Sequence, residues 1–351
     1  MADNSKIEWT DATWNPVRGC SVVSEGCRNC YAMAVAARFS GPGMPYEGLA
    51  YRNGSGAHWT GETRLIQDRL EDPLRWRAPR RIFVNSMSDL FHESLTETQI
   101  QNVFCVMEPA RRHVFQVLTK RPQRMLNFVK RFDDWLRYAS DYPGQLSFAE
   151  RFAHVWLGVS VEDQKTADER IPLLLQTPAA VRWISAEPLL GPVDLASSIG
   201  TYDCMNCGYR GFDANPVTEA EAVDGDEKCP SCGAVLEFGF AENSPNLKSL
   251  DWVVVGGESG PGARPFHLAW ARSLVEQCRA AAIPVFVKQL GAKPIFEWTE
   301  SASAVGLKLG PNEVGQIYPV RLSDKKGGDI NEWPEDLRVR EYPRAQAVAA
   351  V

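Results

Sequence analysis

The stretch Arg81-Ile82-Phe83-Val84-Asn85-Ser86-Met87-Ser88-Asp89 decides how this 351-residue chain is read. A short apolar, β-branched run stops abruptly and gives way to small and acidic polar residues. Such a run bounded by turn formers reads as a buried strand. The same order recurs along the chain. His113–Leu118 is followed by Thr119-Lys120-Arg121-Pro122, and His154–Val159 by Ser160-Val161-Glu162-Asp163. Val181–Ile184 leads into Ser185-Ala186-Glu187-Pro188, Asp251–Val255 into Gly256-Gly257-Glu258-Ser259, and Ile283–Val287 into Lys288-Gln289. A shorter run lies near Trp14 to Gly19. Several runs are apolar on both faces, which suits a parallel sheet covered by helices.

Helical periodicity fills the gaps. Thr96 with Gln99 resembles a capping box, and Ile100, Val103, Phe104 and Met107 follow at helical spacing. Residues 163–177 and 268–282 have the same character. Repeated strand–helix order implies an α/β fold, a parallel (β/α) barrel or partial barrel. Residues 196–249 break the rhythm and read as an insertion. The expected organisation is therefore a barrel core over 1–195 and 250–295, the insertion over 196–249, and a C-terminal appendage over 296–351. In the appendage Trp333, Leu337 and Tyr342 are the residues that could dock it.

The nine cysteines divide by position. Cys204, Cys207, Cys229 and Cys232 form C-x2-C-x21-C-x2-C inside the insertion. Two such knuckles place four thiolates around one ion, so a zinc ribbon is expected. A four-cysteine iron centre or free thiols are its alternatives. The segment Cys204–Cys232 carries six acidic residues against Arg210 and Lys228, a net −4, which favours a structural or protein-contacting role over phosphate binding. Cys20, Cys27 and Cys30 form C-x6-C-x2-C with no fourth ligand nearby. Three thiolates on a [4Fe-4S] cluster leave one iron open to a cofactor or substrate. The alternative is a zinc site completed by His92 or His267. Cys105 and Cys278 stand alone in helical segments and read as core residues.

Composition sets outer limits. With 38 basic and 44 acidic residues the net charge is −6, which argues against a general polycation. A local exception is Pro109–Arg131, where Arg111, Arg112, Lys120, Arg121, Arg124, Lys130 and Arg131 occur without an acid, a net +7. It is either a solvated helix face or a patch for a polyanion such as nucleic acid; Arg75-Trp76-Arg77 and Arg80-Arg81 could extend it. No apolar run is long enough for a membrane span. The N-terminus lacks the apolar core of a secretion signal, so a cytoplasmic protein with reduced thiols is expected.

Polar residues at the C-terminal end of every strand would converge on one cavity, the place where chemistry collects in parallel barrels. Each alone reads as a helix cap; their recurrence points to a site.

Six segments together resemble a phage-associated three-cysteine-motif protein family of unknown function. They are Trp14-Asn15-Pro16-Val17-Arg18-Gly19-Cys20 with Cys27-Arg28-Asn29-Cys30-Tyr31-Ala32, Phe83–His92, Leu118–Pro122, Trp156–Glu162, Ser185–Leu189 and Gly256–Gly260. That family in turn resembles divergent radical S-adenosylmethionine enzymes. Six residues separate the first two cysteines here, where the radical-enzyme motif has three, and Asn29 stands where an aromatic is usual. Gly256-Gly257-Glu258 follows a late strand and is not equated with that superfamily's early Gly-Gly-Glu element.

The resemblance implies a [4Fe-4S] cluster on Cys20, Cys27 and Cys30, with S-adenosylmethionine as cofactor. A deoxyadenosyl radical would then modify an unknown substrate, with a nucleic-acid base or nucleotide as the candidate. It also implies an electron donor. Ser86, Ser88, Asp89, Ser160, Glu162 and Glu187 are candidate cofactor contacts, with Asn85 to Asp89 placed for the methionine amine. Lys120, Arg121, Glu258 and Lys288 are candidate catalytic residues, the first two suited to a carboxylate or phosphate. The rival reading is a non-catalytic zinc protein that binds nucleic acid or a protein partner. A metal-dependent hydrolase ranks below both, because the five histidines show no paired ligand spacing.

Overall fold

The computed structural model describes residues 5–138, 146–195, 201–203, 210–212, 237–239, 250–260, 262–297 and 316–343. The chain opens with β1 (Ala12–Trp14), β2 (Val17–Arg18), α1 (Tyr31–Arg38), the hairpin β3 (Ala50–Asn53) and β4 (Gly56–Trp59), and β5 (Arg64–Leu65). Two short helices follow, α2 (Gln67–Leu70) and α3 (Asp72–Arg75). Regular alternation then begins: β6 (Arg81–Val84), α4 (Glu97–Met107), β7 (Val114–Thr119), α5 (Pro122–Tyr138), α6 (Phe148–Arg151), β8 (Val155–Ser160), α7 (Gln164–Leu175) and β9 (Val181–Ala186). Next come β10 (Thr201–Asp203), β11 (Arg210–Phe212) and β12 (Glu237–Gly239). The last elements are β13 (Trp252–Gly256), β14 (Phe266–His267), α8 (Leu268–Ala280), β15 (Val285–Gln289), β16 (Pro294–Glu297) and β17 (Ile317–Pro319).

Seven strands form one sheet in the order β1-β6-β7-β8-β9-β13-β15, and every pairing is parallel. Each strand is laid beside its predecessor in the same direction, so the sheet curls into a half-barrel whose edges β1 and β15 are not joined. Of the two architectures expected, this is the partial barrel. The short run expected near Trp14 to Gly19 divides in two: β1 joins the sheet, and β2 turns away to pair with β5. The open edge of β15 is covered by chain from the C-terminal segment. Val287 donates to the Val339 carbonyl at 2.9 Å, Glu341 to that of Val285 at 2.9 Å, and Leu290 to that of Gly327 at 2.8 Å. A covered edge has no free ladder for another chain to extend. Trp333 and Leu337 are buried in the main core beside this seam.

Strand alternation sorts the core into two chemistries. Ile82, Val84, Leu157, Ile184, Val253, Val255, Val285 and Val287 face the large cluster that includes the helices. Phe83, Trp156, Trp183, Trp252 and Phe286 face the other side, where Trp9 closes on them. Trp9 meets Phe83 edge-on at 4.8 Å and Trp183 at 5.3 Å. Filling the concave side takes large rings, which explains why both faces of these strands are apolar. Gly158 belongs to the same packing, because a Cβ there would stand 2.5 Å from the Trp183 indole.

Thr96 caps α4 through a reciprocal capping box with Gln99, as its spacing suggests. Asp163 caps α7 by accepting from the Thr166 amide at 2.9 Å, so this strand-end acid is a cap. Within the insertion, β10, β11 and β12 form a small antiparallel sheet in the order β11-β10-β12. Cys204, Cys207, Cys229 and Cys232 lie outside the described residues. Cys278 is buried as expected, whereas Cys105 faces outward from α4. It sits one residue past Phe104, on the opposite side of the helix from the core contacts of Ile100, Val103 and Met107. No helix among the described residues is long and apolar enough to cross a membrane.

Candidate active site at the mouth of the half-barrel

A cavity of about 250 Å³ opens at the C-terminal ends of the parallel strands. Cys20, Cys27 and Cys30 all line it, carried by the loop that leaves β2 and enters α1. Six strands send their polar ends to the same wall. Asn85, Ser86, Ser88 and Asp89 come from β6, and Lys120 and Arg121 from β7. Ser160 comes from β8, Glu187 from β9, Glu258 from β13 and Lys288 from β15. Trp9 and Phe83 reach the cavity from the aromatic side of the sheet, and Tyr31 and Trp59 from the N-terminal segment. Parallel strands end on one side of a sheet, so residues as far apart in sequence as Cys20 and Lys288 share one wall.

Most of these polar groups are engaged by the chain itself. Asp89 is buried and accepts from Thr119 Oγ1 at 2.7 Å, the Phe91 amide at 2.9 Å, Arg121 Nη1 at 3.0 Å and the Lys120 amide at 3.1 Å. A carboxylate with four donors has little capacity left for a ligand amine. Arg121 also donates to Glu93 Oε1 and to Ser21 Oγ, both at 2.7 Å. Ser88 donates to the Val17 carbonyl at 2.9 Å, and Ser86 to Asn15 Oδ1 at 3.1 Å. Lys288 pairs with Glu187 at 2.5 Å across the far wall.

Glu162 does not reach the cavity. It lies beneath the cysteine loop, 1% exposed, where Oε1 accepts from Ser24 Oγ at 3.1 Å, from Arg170 Nη1 at 3.2 Å and from Lys120 Nζ. Gly26 rests on its side chain, leaving no room for a Cβ. On the other flank Glu258 accepts from Asn29 Nδ2 at 2.9 Å and from Arg264 through its amide at 2.8 Å and Nη2 at 2.6 Å. Arg264 continues to the Glu25 carbonyl at 3.0 Å. Ser21 is held by Arg121 and by His92 Nε2 at 2.9 Å. The strand-end acids Glu162 and Glu258 thus clasp the loop that carries the thiols. Ser21, Ser24, Gly26, Asn29, Arg170 and Arg264 complete that clasp. The first four sit inside the cysteine motif and could have been singled out by position. Arg170 and Arg264 carry no local signal.

Electrostatics follow from this packing. Burial pushes the Cys20 thiol up to about 12, with the Asp89 carboxylate adding and Arg121 opposing. Burial also raises Cys30. As bare thiols both are neutral at pH 7 and poor nucleophiles; a coordinated metal is what deprotonates such groups. Burial raises Glu258 too, but donation from Arg264 and Asn29 outweighs it and leaves that carboxyl below the usual range.

Two further expectations resolve in the geometry. His92 uses both ring nitrogens on Ser21 and Ser94, at 2.9 Å each, and His267 caps α8 through the Ala269 amide at 3.2 Å. Neither lines the cavity. Most of the basic stretch is consumed internally. Arg112 donates to the carbonyls of Trp76 and Leu74 at 2.7 Å each, Arg124 to those of His92 and Leu95, and Arg131 pairs with Glu97. Lys120 and Arg121 line the cavity, while Arg111 and Lys130 stay exposed.

The donor set bears on which metal group fits. Among the described residues no three His, Cys, Asp or Glu side chains converge tightly enough for a single ion. A four-iron cluster binds each thiolate through a different iron, so its ligands stand further apart than those of a single ion, and these three border one cavity. Asn85 adds a fitting feature. It adopts a left-handed backbone, φ 60°, and its buried Nδ2 has no partner in the chain, which leaves a donor at the cavity wall.

Fold and site define a parallel α/β half-barrel with a thiol-lined cavity at its strand mouth. The chain belongs to the family described as protein of unknown function (DUF5131), which matches residues 4–319. No curated protein and no solved structure matches it.

Proposed function

We propose that this protein is an iron–sulfur enzyme of radical S-adenosylmethionine type. The observation that carries the reading is the meeting of three cysteines and six polar strand ends on one cavity. Cys20, Cys27 and Cys30 would hold a [4Fe-4S] cluster. Such a cluster would supply one-electron reductive cleavage of S-adenosylmethionine to methionine and a deoxyadenosyl radical. The chain's own part is positioning and shielding. Glu162 and Glu258 hold the cysteine loop, Asn85 Nδ2 offers a donor to a ligand carboxylate, and Trp9 and Phe83 keep water from the cavity floor. Lys288 and Glu187 form a separable charged pair for a polar substrate group on the opposite wall. Zinc on Cys204, Cys207, Cys229 and Cys232 belongs to the same proposal, as a structural ribbon. A nucleic-acid base or nucleotide is the substrate class we propose, on the phage association of the family resembled.

Anaerobic reconstitution followed by iron, sulfide and zinc determination tests this. Expected are about four irons per chain, absorbance that bleaches on reduction and is lost in Cys27→Ala, and deoxyadenosine formed from S-adenosylmethionine. Colourless protein with two zinc ions and no iron would sink the proposal.

A further inference from the structure

A stacked pair of rings stands on the β3–β4 hairpin at the rim of the cavity, and the chemistry proposed for the site does not use it. The hairpin pairs Ala50 with Trp59 and Tyr51 with His58. Successive residues of a strand face opposite sides. Ala50 and Trp59 turn inward onto Ala36, Tyr46 and Leu49, and Trp59 also lines the cavity. Tyr51 and His58 take the outer face, where their rings stack with centroids 5.2 Å apart and planes 27° from parallel. The His58 ring is fixed from its edge, with Nε2 at 2.9 Å from Ser55 Oγ and 3.0 Å from Asn53 Oδ1. Tyr51, stacked on that fixed ring, stays 46% exposed.

The antiparallel chain of the hairpin continues toward the cysteine loop and meets two arginines. Thr60 donates its amide to the Leu49 carbonyl at 3.1 Å and its hydroxyl to that of Gly48 at 2.9 Å. Arg64 Nη2 donates to the Glu47 carbonyl at 3.2 Å. Arg64 stands directly opposite Arg18 in the β2–β5 pair. Arg18, two residues before Cys20, donates to the Pro45 carbonyl at 3.3 Å and lies 5.5 Å from the Tyr46 ring. Like charges directly opposite on paired strands repel. Backbone carbonyls hold both guanidinium groups and leave their charge uncancelled. Along this ribbon Arg18, Arg52 and Arg64 stand against Glu47 and Glu62, a net +1 in a chain of −6, and Glu47 is engaged by the Gly43 amide at 2.7 Å.

We infer that this hairpin is a contact platform for single-stranded nucleic acid, with a base stacked on Tyr51 and a backbone phosphate taken by Arg18 and Arg64. The inference rests on the nucleic-acid reading of the substrate and deepens it; it does not depend on the iron–sulfur cluster. Three features select this occupant. Every base has a π-face, so a ring fixed in place with one side open accepts a base whatever its sequence. A phosphate supplies the counter-charge that the opposed arginines lack. Trp59 and Cys20 both line the cavity, so a strand lying along this ribbon borders its mouth. An enzyme that works on a base takes it out of the stack, which a single strand permits at least cost.

The test is fluorescence anisotropy with the full-length reconstituted protein. The probe is a labelled single strand of about 12 nucleotides, in DNA and RNA arms, with the matched duplex as control. Tyr51→Ala is expected to weaken binding about tenfold, while Tyr51→Phe, which keeps the ring, binds as the wild type does. Arg64→Gln lies outside the hairpin and is expected to reduce the salt slope of the binding constant by about 0.7. Iron content stays at the wild-type level in all three. Binding and salt slope equal to wild type in both Tyr51→Ala and Arg64→Gln overturn the platform and leave the nucleic-acid reading standing. A wild type that binds neither strand overturns that reading and this inference together, and leaves the iron–sulfur reading intact. Tighter binding of the duplex than of either single strand overturns the assignment to a stacked base.

Discussion

Gly26→Ala is expected to destabilise the protein through a single contact. A Cβ on Gly26 would stand 2.5 Å from Glu162 Oε1, 2.6 Å from Cγ and 2.7 Å from Cδ. Carbon atoms rest at roughly 3.5–4.0 Å, so something must move. Glu162 cannot yield easily, because it is 1% exposed and its Oε1 is held by Ser24, Lys120 and Arg170. Overpacking of this kind costs about 1–3 kcal/mol. For a chain of 351 residues that corresponds to a fall of about 1–4 °C in Tm. Glu162→Ala vacates the space but strands two buried cations. Arg170 keeps the Ser160 carbonyl at 2.8 Å and the Lys120 side chain is 18% exposed, so the loss lies near the low end for a broken buried pair, about 3 kcal/mol. In the Glu162→Ala background Gly26→Ala is then expected to cost little, a coupling of about 1–2 kcal/mol. Urea unfolding of the four proteins, followed by tryptophan fluorescence, measures the cycle. Additive losses, or a neutral Gly26→Ala, would refute the clasp.

Other perturbations test separate parts. Burial lowers His92, His113 and His154 below the ordinary histidine value, so the unfolded chain binds their protons first. Their contribution to stability is complete above about pH 6.5 and is lost as pH falls through the lowered folded values; a urea midpoint that does not move between pH 7.5 and 5.5 contradicts this. Cys105 is exposed and Cys278 is buried with a pKa pushed to about 12, so a thiol reagent should titrate Cys105 in native protein and Cys278 only in urea. Gly158→Ala should cost about 1–3 kcal/mol against the Trp183 indole, and Trp183→Leu should relieve most of it in a double-mutant cycle. Arg264→Ala releases both Glu258 and Glu25, so Cys27 and Cys30 in metal-free protein should alkylate several-fold faster; unchanged rates would remove Arg264 from the clasp.

Signals with a short period were legible in the chain. Apolar runs ending in polar residues located six of the seven strands of the half-barrel, and Thr96 with Gln99 located a helix start, because strands and caps are decided within a few residues. Pairings between distant residues left no such trace. Nothing near Arg264 announces Glu258 as its partner or the cysteine loop as its neighbour. Cys105 misled for the same reason: an apolar helical segment has two faces, and only packing shows which one a residue takes. The basic stretch shows the same limit. Its seven charges lie between Arg111 and Arg131, but the partners of Arg112, Arg121, Arg124 and Arg131 are carbonyls and carboxylates from 28 to 39 residues upstream.

By itself the sequence determined the parallel α/β class, the three-plus-four division of the clustered cysteines, and the convergence of polar strand ends on one side. Those follow from hydrophobic period and ligand spacing, which are local. Only the tertiary structure decided which of those ends face the cavity. Asp89 lines it with both carboxylate oxygens accepting from the chain, Asn85 lines it with a donor left over, and Glu162 lies behind the wall under Gly26. The physical reason is that strand direction fixes where a residue stands, whereas the packing of the loop from Cys20 to Cys30 fixes what its side chain meets.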